Sequence, residues 1–152
     1  MRKILLMIGM VALTGCATQK RSTTAENSIG DTRTQTVESH DEDTYLLRET
    51  SSDKSYGYDR SNPIKVGGSL ESSGPRNERR FLNALLGLNG EQVGYYRAGS
   101  CCGFKTPNGF MGEGLLDKYR VYWEGGKDTL SIYINMYDKG DLKVPVGFTA
   151  KK

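Results

Sequence analysis

The sequence predicts an α+β fold, with one helix packed on a mostly antiparallel β-sheet of four to six strands. Two patterns carry that expectation. Phe81, Leu82, Leu85 and Leu86 recur at helical period shortly after Gly74-Pro75. Leu115, Tyr119, Val121 and Trp123 alternate with Lys118, Arg120 and Tyr122, and Leu130, Ile132, Ile134 and Met136 alternate with Ser131, Tyr133 and Asn135. Glu124-Gly125-Gly126-Lys127 lies between those two runs, and Gly-Gly is a strong hairpin connection. A single helix segregated to one face of such strands is the α+β solution.

The chain opens on Arg2 and Lys3, then an apolar run from Ile4 to Ala12. That run is shorter than the roughly 20 residues a spanning helix needs. It ends in Leu13-Thr14-Gly15-Cys16, which resembles a bacterial lipobox. The resemblance implies that residues 1–15 are a lipoprotein signal peptide, removed on export, and that Cys16 carries lipid. With two or three acyl chains, each buried methylene adding about 0.8 kcal/mol, such an anchor is firm. Residues 16–43 read as the lipidated cysteine and a flexible tether rich in Thr, Ser, Gln and charge, with Ile29 and Val37 its isolated aliphatics. A coil of about 27 residues reaches roughly 30 Å. Residues 44–152 are expected to form a single globular α+β domain. Ala17 after the cysteine resembles the sorting pattern of outer-membrane lipoproteins, so the expected address is the outer membrane, facing the periplasm.

The chain of 152 residues holds 21 Lys+Arg against 18 Asp+Glu. Without Arg2 and Lys3 the balance is 19 against 18, a net of +1. No nucleic-acid partner is expected from that charge.

Within the domain, Thr44 to Arg48 reads as a short strand. Asn62 is pushed away from the helical region by Pro63, and Ile64 and Val66 share a face, so Ile64–Val66 reads as another. The helix is expected over Pro75–Leu86, with proline at its first turn, Glu78 near its positive end and Gly87 as a left-handed cap. Gln92–Ala98 reads as a strand. In the hairpin, a Gly125-Gly126 loop sets Val121 opposite Leu130, Tyr119 opposite Ile132 and Leu115 opposite Met136, so every apolar pair lands on one side. Asp138–Asp141 is a turn, and Leu142, Val144 and Val146 suggest a last edge strand.

The blocks Tyr56-Gly57-Tyr58 with Asn62–Gly68, Arg80-Phe81-Leu82-Asn83, Gly99–Gly109 and Tyr133–Asp138 resemble small, largely uncharacterised bacterial envelope lipoproteins. The likeness covers roughly the last two thirds of the chain and implies no site residues. Some members carry the label 2-dehydro-3-deoxyphosphooctonate aldolase. That activity does not transfer: the enzyme is a (β/α)₈ barrel of about 250 residues, and the element pattern here is different.

Chemistry concentrates in Gly99–Gly109, which holds Cys101 and Cys102. Exported thiols tend to oxidise. One reading is a vicinal disulfide, redox-active or ligand-responsive. A second is a rigid turn, or two reduced cysteines of which at least one is buried as a small apolar residue, and a third is a cross-link to another chain. The stretch is expected to be a shaped connection turned at Pro107-Asn108-Gly109. No metal site is expected, because adjacent cysteines rarely share an ion, and no cofactor motif is present. His40, the sole histidine, falls in the tether, away from any Cys–His or Ser–His–Asp arrangement. Glu113, Asp117 and Asp138 read as solvated carboxylates. Tyr122 and Tyr133 fall on the polar face of the hairpin and are expected to sit near each other as a partner surface.

Three function classes follow. The first is a membrane-anchored, non-catalytic binding or assembly module with an envelope protein or glycan partner. The second is a thiol-redox or metal-handling protein using Cys101 and Cys102, and the third is an envelope-acting enzyme. The lack of a folded histidine favours the first.

Overall fold

The computed structural model describes residues 37–152. The signal segment, Cys16 and most of the stretch read as tether lie outside the described residues. The elements are β1 (Ser39–Asp41), β2 (Thr44–Tyr45), β3 (Ile64–Lys65), α1 (Gly74–Asn83), β4 (Leu85–Leu86), β5 (Val93–Phe110), β6 (Glu113–Trp123), β7 (Leu130–Asn135) and β8 (Thr149–Ala150). The fold is α+β, as the two hydrophobic periods require. A central four-stranded sheet runs β3-β7-β6-β5, and the pairs β1-β2 and β4-β8 stand apart from it. Only β3 is parallel to its neighbour in that sheet, Ile64 lying beside Ile134.

The core forms where α1 and the start of β4 lie on the sheet. Phe81, Leu82 and Leu85 meet Ile64, Val121, Ile132 and Ile134, and all seven are inaccessible to solvent. At roughly 1.5–3 kcal/mol per large apolar side chain, this stripe is the main stabilising contact of the helix.

The β6–β7 register is the expected one where it forms, with Val121 opposite Leu130 and Tyr119 opposite Ile132. It stops at Asp117 opposite Ile134. Leu115 does not face Met136; it pairs with Gly103 and is 49% exposed. The cause is at Asn135, whose side-chain oxygen accepts from the amides of Tyr137 (2.8 Å) and Asp138 (3.0 Å) and turns the chain out of β7.

Four further expectations are corrected. The helix ends at Asn83, because Leu85 and Leu86 pair with Ala150 and Thr149 and the Lys151 amide takes the Ala84 carbonyl at 2.9 Å. Gly87 is no left-handed cap. It is needed for close approach, since a Cβ there would lie 2.9 Å from the Trp123 ring. Residues 142–146 form no strand; Val144 makes a single parallel bridge to Thr50, beside a proline that has no amide to donate. Ordered structure also starts before Thr44, since β1 pairs with β2 and brings His40 onto an exposed strand.

The largest departure is at the cysteines. Residues 99–109 are not a connection between strands but the second half of β5, which pairs with β6 and carries three bulges along its length. The extra residues are Ala98, Cys102 and the block 106–109. In that block Gly109 passes the backbone of Glu113 so closely that a Cβ would stand 1.9 Å from its carbonyl oxygen. Gly109→Ala should therefore lower stability by about 1–3 kcal/mol, as overpacking does, measured by chemical denaturation.

Candidate functional site

A bulge builds the site. Along a regular strand, residues two apart share a face. The extra residue Ala98 resets that alternation, so Arg97, opposite Tyr119, and Ser100, opposite Asp117, both face the side of the sheet on which Tyr119 and Asp117 lie. Asp117 lies between them. Arg97 donates to it from Nε (2.6 Å) and Nη2 (2.7 Å), a bidentate pair, and Ser100 Oγ donates at 2.8 Å. The Arg97 guanidinium also reaches Ser100 Oγ, which closes the triangle.

Across from Asp117, α1 presents Glu78. Its side chain is completely buried. Tyr119 donates its hydroxyl to Glu78 Oε2 at 2.9 Å, while Oε1 has no donor. Burial, and then the neighbouring charge of Asp117, push the Glu78 carboxyl up to about 8. A proton kept on Glu78 relieves the repulsion between the two buried acids. Desolvation, and then the neighbouring Glu78 and Asp117, push the Tyr119 hydroxyl upward, so it remains a donor.

Above this floor opens a cleft of about 490 Å³. Tyr95 and Tyr119 meet edge-on there, their ring centroids 6.0 Å apart, and Tyr95 donates to Asn83 Oδ1 at 2.7 Å. Tyr96, Arg79, Pro75 and Met136 complete the walls. Arg79 is exposed and makes no hydrogen bond or ion pair among the described residues, unlike Arg76, which is held by Glu42 and Asp43. The cleft thus combines tyrosine faces, one uncommitted guanidinium and a rigid, hydrogen-bonded base.

The residues singled out in the sequence fall as follows. The sulfurs of Cys101 and Cys102 are at disulfide distance, with the Cα atoms 3.7 Å apart. Cys102 is the extra residue of its bulge and holds a φ of 59°, unusual for a residue with a side chain. The pair directly follows Ser100 of the Asp117 triangle. Of the carboxylates read as solvated, Glu113 is exposed and paired with Lys105, whereas Asp117 and Asp138 are buried. Tyr122 and Tyr133 do not sit together. Tyr133 stands opposite Lys118, whose ammonium lies 5.9 Å from its ring, four residues along β6 from Tyr122. At about 3.3 Å per residue the separation exceeds the 7–8 Å reach of a diagonal pair. Tyr56 and Tyr58 are tied to residues 141–146, Tyr58 donating to the Val146 carbonyl at 2.6 Å. Desolvation pushes both of their hydroxyls up to about 12.

Sequence reasoning missed Glu78, Arg97, Ser100 and Asp138 as parts of organised clusters. Asp138 accepts from Thr106 Oγ1 (2.5 Å), Asn108 Nδ2 (3.1 Å) and Asn135 Nδ2 (2.8 Å), joining the bulge at residues 106–109 to the end of β7. Among the described residues no three His, Cys, Asp or Glu side chains gather as a metal site, and no helix is long and apolar enough to cross a membrane.

No protein-family model, curated protein or solved structure matches this chain.

Proposed function

We propose that the protein is a lipid-anchored module of the bacterial envelope, in the outer membrane and facing the periplasm, that binds an acidic glycan without transforming it. The anchor rests on Leu13–Cys16. The observation that carries the binding role is the cleft: tyrosine walls and the free Arg79 guanidinium over a floor whose acids are already committed. The ring faces of Tyr95 and the exposed Tyr96 suit the C–H faces of sugar rings, their tilt fixed by the inward hydroxyl bond of Tyr95 to Asn83. A guanidinium takes a carboxylate in a bidentate fork. Asp117 is ion-paired with Arg97 and bonded by Ser100, and Glu78 is sealed beneath it, so neither is presented as an acid or base to a bound substrate.

Calorimetric titration with a uronic-acid oligosaccharide and its neutral counterpart tests this reading. The acidic chain is expected to bind at least ten-fold tighter, about 1.4 kcal/mol, and Arg79→Ala to abolish the difference. Equal binding of the two, or no heat with either, contradicts it.

A second reading has its own observation in the Cys101–Cys102 pair beside Ser100. In it the pair is a two-electron thiol–disulfide couple, and a dithiol reductant delivers the electrons and protons. Thiol labelling checks it: neither cysteine should react before reductant, and both should afterwards. Labelling that reductant leaves unchanged excludes the couple.

A further inference from the structure

The β5–β6 hairpin ends in an apolar tip that nothing among the described residues covers. Phe110 is 87% exposed and Met111 86%, side by side where β5 turns into β6. The tip is braced rather than loose. The Thr106 amide donates to the Gly112 carbonyl at 3.1 Å, and Asp138 holds the Thr106 hydroxyl and the Asn108 amide from behind. Met111 has a φ of 54°. Asn, Asp or Gly suits that conformation in a solvated turn, yet here a methionine adopts it beside a phenylalanine. Lys105 and Glu113, at the base of the tip, pair at 2.5 Å and cancel each other's charge.

We propose that Phe110 and Met111 insert into the bilayer that carries the Cys16 lipid, giving the domain a second contact with the membrane. The inference rests on the lipid-anchor reading. A bilayer is favoured over a protein because two adjacent side chains on a narrow turn expose far less than the roughly 800 Å² that one partner contributes to a stable protein interface. A hydrocarbon phase needs no matching shape. An anchor that already confines the domain to the surface makes even a weak tip contact effective by raising its local concentration.

The test uses the full acylated chain on phosphatidylethanolamine–phosphatidylglycerol vesicles, with or without lipids brominated along the acyl chains. In Phe110→Trp, the added indole is expected to emit at shorter wavelength than in water and to lose at least half its intensity on the brominated vesicles. Trp123 in the unaltered chain supplies the background to subtract. Met111→Ser in the Phe110→Trp background should reduce the quenching at least two-fold. Emission as in water and no quenching, while the chain floats with the vesicles, overturns the proposal. So does a short-wavelength emission that brominated lipid leaves unquenched, the result of docking in a protein pocket. Mass measurement of Cys16 tests the anchor separately. If it carries no lipid, the chain is captured through a terminal polyhistidine on nickel-chelating lipid, and the same quenching decides the tip.

Discussion

Glu78→Gln should make the protein more stable, by a margin that grows with pH. In the folded chain the Glu78 carboxyl is pushed up to about 8, above its ordinary value of 4.5. Between those values the native state keeps a proton that the unfolded chain releases. Stability attributable to this group is therefore complete below about pH 4.5, falls as pH rises, and levels off above about pH 8. At 1.36 kcal/mol per pH unit, the loss is roughly 3 kcal/mol at pH 7 and on the order of 5 kcal/mol beyond pH 8. Glutamine does not ionise, can accept from the Tyr119 hydroxyl and offers an N–H to Asp117. Denaturant unfolding of both proteins at pH 5, 7 and 9 checks the prediction. The two should nearly coincide at pH 5 and diverge above it. A constant difference would show that Glu78 does not hold its proton in the folded state.

Asp138→Ala should be among the most damaging single substitutions in the β5–β6 region. The buried carboxylate is the common acceptor for Thr106, Asn108 and Asn135. Its removal strands three donors, at about 1–3 kcal/mol for each that stays buried. Thr106 and Asn135 are buried, whereas Asn108 is partly exposed and can turn to water. A loss of roughly 3 kcal/mol is expected from denaturant unfolding. The damage should also be local: the Thr106 amide, bonded to Gly112, should exchange with solvent much faster, while amides at the centre of β6 change only with global stability. Asp138→Asn keeps one acceptor and should lose much less.

Much of this organisation was legible in the sequence, and the misses have physical causes. The helix stripe and the hairpin register could be read because each is a local period that burial enforces. The same periods already placed the buried acids. Glu78 is three and four residues before Phe81 and Leu82 and seven before Leu85, on the apolar stripe. Asp117 continues the inward alternation of Val121 and Tyr119. The general preference of charge for water argues for exposure at both sites, but position on the buried face decides. The bulges at Ala98, Cys102 and residues 106–109 have no comparable signal. They depend on pairing with β6, and they bring Arg97 and Ser100 together on Asp117. Leu85 and Leu86 fit a helical stripe equally well, but the distant Thr149–Ala150 strand claims their backbone. Asp138, in a polar turn sequence, is buried by side chains from a bulge some thirty residues earlier.

An NMR titration of the protein with the uronic-acid oligosaccharide reports on binding in the tyrosine–arginine cleft residue by residue. Saturable shifts should concentrate on Tyr95, Tyr96 and the Arg79 and Arg97 side chains, leave Tyr122 and Tyr133 unmoved, and disappear in Arg79→Ala. Shifts centred elsewhere on the surface, or none at saturating glycan, would contradict it.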